Sequence, residues 1–279
     1  MSRILAIALD TVREASSRGW ILALLLSITL SLISLGFGLE MEVVDGALAA
    51  SKLFGSAVGG DQIMSVDVAL GYVFLAASYV IFYGGLSFGI LSSADFAPSL
   101  LEPGRIEHML SLPVRRSELL AGTYFGVLLV SALGVIYASV GFSGILAWKT
   151  GVLSMRLVPA ALFGTLSFAG IYAVMLTAAL FVRSAALSAV VGLLVMVGGI
   201  LASYESQLSR MFSPGVSRTL FSLVTAVMPP VATLGNAAAS LAADKLTMSF
   251  ELAARLVGLL VFAGAVLSGA IARFSRMDF

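Results

Sequence analysis

The sequence predicts an all-α membrane protein with six transmembrane helices. Three observations predict this class: a mean hydropathy of +1.06, a composition that is 59% hydrophobic and only 11% charged, and long uncharged runs between charged residues. Soluble globular domains do not reach such values. We therefore predict one transmembrane domain over residues 1–279, without a separate soluble domain.

The charged residues set the limits of the predicted spans. A helix needs about 20 apolar residues to cross about 30 Å of hydrocarbon. The last uncharged run is shorter, and it reaches this length if Glu251 and Arg255 lie at the membrane interface. The predicted spans are 20–39, 69–91, 119–147, 158–182, 185–204 and 252–272.

A further uncharged run, 219–243, contains the pair Pro229-Pro230. Proline removes a backbone donor and breaks a helix in its interior. The run therefore predicts broken, re-entrant or interfacial helices over 216–243 rather than a seventh straight span.

The segment before the first span, residues 2–18, has the pattern of an amphipathic helix that lies in the membrane interface. Glu14 and Arg18 form an i,i+4 pair in the favourable order. Basic residues precede the first span and follow the last one, so the positive-inside rule places both termini and the loop 92–118 in the cytoplasm. We expect a multi-pass protein of a prokaryotic inner membrane with both termini in the cytoplasm.

Composition also excludes several classes of site. The net charge is +1 with dispersed basic residues, which excludes a nucleic-acid footprint. The chain has no cysteine and one histidine, so neither a thiolate site nor an all-protein zinc site is expected. We predict no catalytic residue, no metal site and no cofactor held by this chain.

The loop 92–118 carries the most informative segment, Glu102–Glu118, which reads EPGRIEHMLSLPVRRSE. Pro103 suits the first turn of a short helix, and Pro113 ends it. One face of this helix is apolar and the rest is polar. By itself, the pattern fits equally a helix resting on the membrane surface and a helix that docks on a partner.

Residues 95–124 resemble the first cytoplasmic loop of ABC type-2 exporter permeases, which has the form E-x-G-T-[I/L]-E-x-L-L-x-x-P-[V/I]-x-R followed by Gly-Lys. The chain departs from this form at Arg105, where Thr is usual, and at Thr123, where Lys is usual. The ending ARFSRMDF also resembles the basic-aromatic-Asp ending of that family. The matching loop positions are Glu102, Gly104, Ile106, Glu107, Leu110, Pro113, Val114, Arg116 and Gly122.

The resemblance implies that the loop helix is a coupling helix that binds a cytoplasmic ABC ATPase subunit. ATP and Mg²⁺ would then be held by that partner, since this chain has no G-x-x-x-x-G-K-[S/T] motif and is not expected to be an enzyme by itself. It also implies a second permease copy, as a homodimer or close heterodimer, within membrane lipid. The contact residues it implies are Glu102, Gly104, Arg105, Ile106, Glu107, Leu110, Pro113, Val114, Arg115 and Arg116.

Tyr72, Tyr79 and Tyr83 share one face of the second span. They fit either a lining of the translocation pathway or packing against another helix. The sequence Gly85–Gly89 matches both G-x-S-x-G and G-x-x-x-G; the second reading, helix packing, is favoured because no base lies within reach.

Three functions fit these features of the sequence. The first is an exporter permease for a lipid-like or amphipathic substrate, driven by a separate ATPase. The second is a membrane subunit that transmits force to a periplasmic maturation partner without moving a substrate. The third is a stand-alone ion-coupled carrier, which the absence of charged residues within the spans disfavours.

Overall fold

The computed structural model describes residues 3–44, 47–53, 56–57, 64–102, 104–111, 114–212, 215–247 and 249–277. The chain is built around long helices that run between two ends of a bundle. Its helices are α1 Arg3–Ser17, α2 Trp20–Gly38, α3 Val66–Ser93, α4 Phe96–Leu100, α5 Arg105–Ser111, α6 Arg116–Thr150, α7 Leu157–Val182, α8 Ala185–Ser203, α9 Glu205–Leu208, α10 Val216–Val227, α11 Val231–Ala242 and α12 Phe250–Ser275.

Six helices are long and apolar enough to cross a membrane, as the sequence predicted. They are α2, α3 with its continuation through α4, α6, α7, α8 and α12. The chain is therefore an all-α multi-pass membrane protein in its architecture. We call the end of the bundle that carries α1, α4, α5 and the last turn of α12 the loop end, and the opposite end the sheet end.

The sheet end carries a small antiparallel sheet in the connection between α2 and α3. Its described strands are β1 Leu39–Val44, β2 Ala47–Leu53, β3 Ser56–Ala57 and β4 Met64–Ser65. β2 pairs with each of the other three strands. The sequence did not predict this sheet, because a short sheet outside the spans leaves the hydropathy pattern unchanged.

The core of the bundle lies along α7, which packs against α3, α6, α8, α11 and α12. Tyr172 is fully buried there and stacks on Tyr124 and Phe168, with ring centroids 5.9 and 5.7 Å apart. The Tyr124 hydroxyl donates a hydrogen bond of 2.8 Å to the Ala169 carbonyl. Aromatic stacking and this bond fix α6 against α7.

A row of glycines on α6 forms a groove that receives α1 and α2. A Cβ on Gly122 would lie 2.5 Å from the Cβ of Ile7, and one on Gly126 would lie 2.6 Å from the Cβ of Thr11. The contact advances four residues on both helices, so α1 and α6 run in the same direction here. Farther along α6, Gly134 and Gly141 receive Leu24 and Leu32 of α2.

The run 216–243 is broken, as predicted. Its two helices, α10 and α11, bend by 53° at Pro229-Pro230. The Ser203 hydroxyl at the end of α8 accepts the backbone N–H groups of Ala232 and Thr233, at 3.0 and 3.2 Å. It thereby satisfies donors that the first turn of α11 would otherwise leave without a partner.

Substituting Gly126 tests the glycine groove. Gly126→Ala places a methyl group within 2.8 Å of the Ala8 carbonyl oxygen as well as against Thr11. We expect α1 to shift and the free energy of unfolding to fall by about 1–3 kcal/mol. Thermal unfolding of the detergent-solubilised protein measures this change.

Gly144→Ala is the matched control, because Gly144 is on the same helix and its added Cβ would meet nothing within 4 Å. Alanine is the better helix former, so this variant should unfold at the same temperature or slightly higher. Equal midpoints for the two variants would contradict the proposed packing.

Candidate functional site

The predicted loop helix is present at the loop end as α5, Arg105–Ser111. Gly104 precedes it with φ +83°, a backbone conformation that favours glycine. Ile106 is buried at 3% exposure and Met109 packs partly buried against the core. One face of α5 is therefore seated on the bundle, while Glu107 on the other side is exposed.

A short helix that the sequence did not predict precedes α5. α4, Phe96–Leu100, follows α3 after a tight turn, and all five of its residues are buried. It packs against α6, α7 and α8. The residues of α4 are uncharged and follow the span closely, so the hydropathy pattern does not mark α4 as a separate helix. The predicted loop, which began at residue 92, therefore included it.

Charged side chains join α1, the α3–α4 turn and α5 into one ionic cluster. Glu14 forms an ion pair with Arg18 through Oε1 at 2.6 Å, and an ion pair with Arg105 through Oε2. Arg18 also donates to Asp95 at 2.7 Å, and Arg105 donates to the Ser99 hydroxyl at 3.3 Å. We call these five residues the loop-end cluster.

The first turn of α6 is held by two further sets of contacts. Glu118 accepts the backbone N–H of Arg115 at 2.8 Å, which caps the helix, and lies 3.7 Å from Arg3. Arg116 donates to the backbone carbonyls of Ser275, at 3.3 Å, and Met277. The end of α12 is thus tied to the start of α6.

The structure places the predicted contact residues in different environments. The side chains of Arg105 and Arg116 are bound within the chain, and that of Ile106 is buried. Val114 is half-buried, Leu110 belongs to α5, and Pro113 lies outside the described residues. The exposed predicted residues at this end are Glu102, Gly104, Glu107 and Arg115.

Of the tyrosines of α3, Tyr72 is exposed and Tyr79 and Tyr83 are half-buried, and they lie beside two residues that the sequence did not single out as site residues. The Tyr79 hydroxyl donates to Asn236 Oδ1 at 2.8 Å, and its ring stacks on Tyr83 at 6.3 Å. Lys245 lies 5.0 Å from the ring centroid of Tyr72, which is 54% exposed. We call Tyr72, Tyr79, Tyr83, Asn236 and Lys245 the tyrosine wall.

Asn236 has an unusual environment for an amide. It is the exposed residue of α11, a helix that is otherwise buried or half-buried. An amide facing hydrocarbon lacks hydrogen-bond partners and costs free energy. Its presence therefore favours an aqueous or protein-covered surface along the tyrosine wall; the signal in the sequence was one amide in the uncharged run 219–243.

The glycines of the G-x-S-x-G match, Gly85 and Gly89, are packing residues. A Cβ on Gly85 would lie 3.2 Å from Val135, and one on Gly89 would lie 3.0 Å from Phe168. The glycines therefore admit α6 and α7 close to α3. Among the described residues, no group of three or more His, Cys, Asp or Glu side chains could hold a metal ion.

The sequence matches no protein-family model and no curated protein. The features that indicate a function are therefore the loop segment, the order of the helices, the loop-end cluster and the tyrosine wall.

We expect the tyrosine wall to be reached by water. Asn236→Cys should react with a membrane-impermeant maleimide in proteoliposomes, because a thiol needs water to form its reactive thiolate. The chain has no native cysteine, so the background is zero. Leu194→Cys, at a 65% exposed apolar position of α8, is the lipid-facing control and should stay unreactive. Equal labelling rates would contradict this interpretation of the wall.

Proposed function

We propose that this chain is the transmembrane permease subunit of an ATP-binding-cassette exporter, in which a separate cytoplasmic ATPase subunit binds α5. The observation that carries the proposal is the form of α5. It is a short helix seated on the bundle by Ile106, with the exposed carboxylate of Glu107 on its outer side. It connects two spans, so a displacement of α5 acts on both.

The exposed residues Glu102, Gly104, Glu107 and Arg115 are the direct contacts in this proposal. Arg105 and Arg116 support them from within the chain, since their guanidinium groups are bound to Glu14 and to the carbonyls after α12. This distribution refines the set that the family resemblance implies. It also accounts for Arg105 at a position where that family usually has threonine.

The energy source in this proposal is outside the chain. The sequence has no phosphate-binding G-x-x-x-x-G-K-[S/T] loop, so ATP and Mg²⁺ are held by the partner. Closure of two ATPases presses on two copies of α5, and the spans respond as rigid bodies. The loop end and both termini lie on the cytoplasmic side of a prokaryotic inner membrane in this proposal, as the positive-inside rule indicates.

The tyrosine wall is the proposed pathway surface. Phenol hydroxyls, an amide and an ammonium group can hydrogen-bond a polar headgroup, whereas the exposed faces of α2 and α12 are apolar. A second permease copy facing this wall would enclose the pathway. This arrangement fits an amphipathic substrate, with a polar part at the wall and an apolar part in lipid.

Charge reversal at Glu107 tests the proposed contact. We expect Glu107→Lys to abolish co-purification of the ATPase subunit from native membranes, with no loss of permease insertion. Asp10→Lys, at an exposed position of α1, is the matched control and should retain the partner. Mass spectrometry identifies the partner by its G-x-x-x-x-G-K-[S/T] sequence. Full retention of that ATPase by Glu107→Lys would overturn the proposed contact.

The same complex in liposomes distinguishes the other two functions. ATPase activity that is stimulated by a transported substrate supports the exporter. ATP hydrolysis that responds only to a periplasmic partner would favour force transmission. Transport that needs neither ATP nor a partner would favour an ion-coupled carrier and would overturn the proposal.

A further inference from the structure

We infer that Glu14 is a positioning residue that joins α1 to α5, so that the N-terminal helix moves with the coupling helix during each ATPase cycle. This inference rests on the proposed function. It assigns α1 a role in transmission, in addition to its packing against α6.

The contacts of Glu14 support this role. Its two carboxylate oxygens bind two different arginines, Arg18 and Arg105. Through Arg18 the cluster reaches Asp95 in the α3–α4 turn. Through Arg105 it reaches α5 itself and Ser99 of α4. One carboxylate therefore connects α1 with three other segments at the loop end.

The partial burial of the two Glu14 ion pairs makes them stronger than ordinary surface pairs. The side chain of Glu14 is 19% exposed, that of Arg105 is 24% exposed and that of Arg18 is 29% exposed. Exposed pairs are screened by water and salt, whereas partly buried pairs are screened less. Removing one partner leaves the other charges of such a cluster without compensation.

The position of α1 gives the cluster a mechanical consequence. α1 lies in the α6 groove at Gly122 and Gly126, where the helices are in direct contact. On the other side, Glu14 bonds Arg105 at the start of α5. Force applied to α5 can therefore reach α6 by two routes, along the chain between them and through α1.

A stabilising ion pair alone would not require α1 to move. The two interpretations separate when the positions of α1 and α5 are measured within the working complex. The cysteine-free sequence allows spin labels at chosen positions without background. Suitable exposed positions are Arg13 on α1, Ser111 on α5 and Trp148 at the sheet end of α6.

The experiment uses the full complex in lipid nanodiscs, with one labelled permease copy per complex. Distances from position 148 to positions 13 and 111 are measured without nucleotide and with the ATPase trapped by ATP and vanadate. We expect both distances to shift on trapping, while the 13–111 distance stays constant. In Glu14→Gln, position 111 should still shift and position 13 should lose its shift.

Arg105→Gln should likewise remove the shift of position 13. The double variant, Glu14→Gln with Arg105→Gln, should lose no more of that shift than either single variant, because the two residues act as one pair. Asp10→Asn is the matched control, since Asp10 is an exposed carboxylate on the same helix, and it should retain both shifts.

The outcomes distinguish this inference from the proposed function. If position 111 shifts in the unmodified cluster and position 13 does not, the inference is wrong and the coupling role of α5 stands. If both shifts persist in Glu14→Gln, the pair is not the joint. If no ATPase binds and neither position responds to nucleotide, the proposed function itself fails.

Discussion

The close approach of α1 and α2 to α6 is the constraint on which the rest of the structure depends. Helices in lipid gain little from burying apolar side chains, because the lipid is apolar as well, so they associate where small residues let backbones meet. Gly122, Gly126, Gly134 and Gly141 provide such contacts along one side of α6. With any larger residue at Gly126, α1 would be displaced and Glu14 would move away from Arg105.

The second constraint concerns the backbone at the break between α10 and α11. A bend of 53° exposes donors and acceptors that hydrocarbon cannot satisfy. Ser203 accepts two of those donors, and Gly199 leaves room for Pro229 and Val231, which a Cβ would contact at 2.4 and 2.5 Å. The bend is thus supported by one hydroxyl and one glycine of α8, and α11 can bring Asn236 to Tyr79.

The sequence was sufficient for the spans, because charged residues mark their limits and Pro229-Pro230 marks the break. It was insufficient for the loop-end cluster. Glu14 and Arg105 are 91 residues apart, and nothing local to either residue indicates the other. The i,i+4 pair of Glu14 with Arg18 was visible, but its link to α5 depends on the parallel packing of α1 in the α6 groove. The wall residue Asn236 was likewise hidden, since only tertiary packing brings it to α3.

α3 connects the two polar regions of this chain. Its central turns carry Tyr79 and Tyr83 of the tyrosine wall, and the turn after its last residue holds Asp95, which Arg18 binds. A helix transmits displacement along its axis with little bending, because its hydrogen bonds run parallel to that axis. On the proposed function, a shift of the loop-end cluster would therefore change the position of Tyr79 relative to Asn236. The 2.8 Å bond between these two residues joins α3 to the broken segment, so α3 contacts the loop-end cluster at one end and α11 along its central turns.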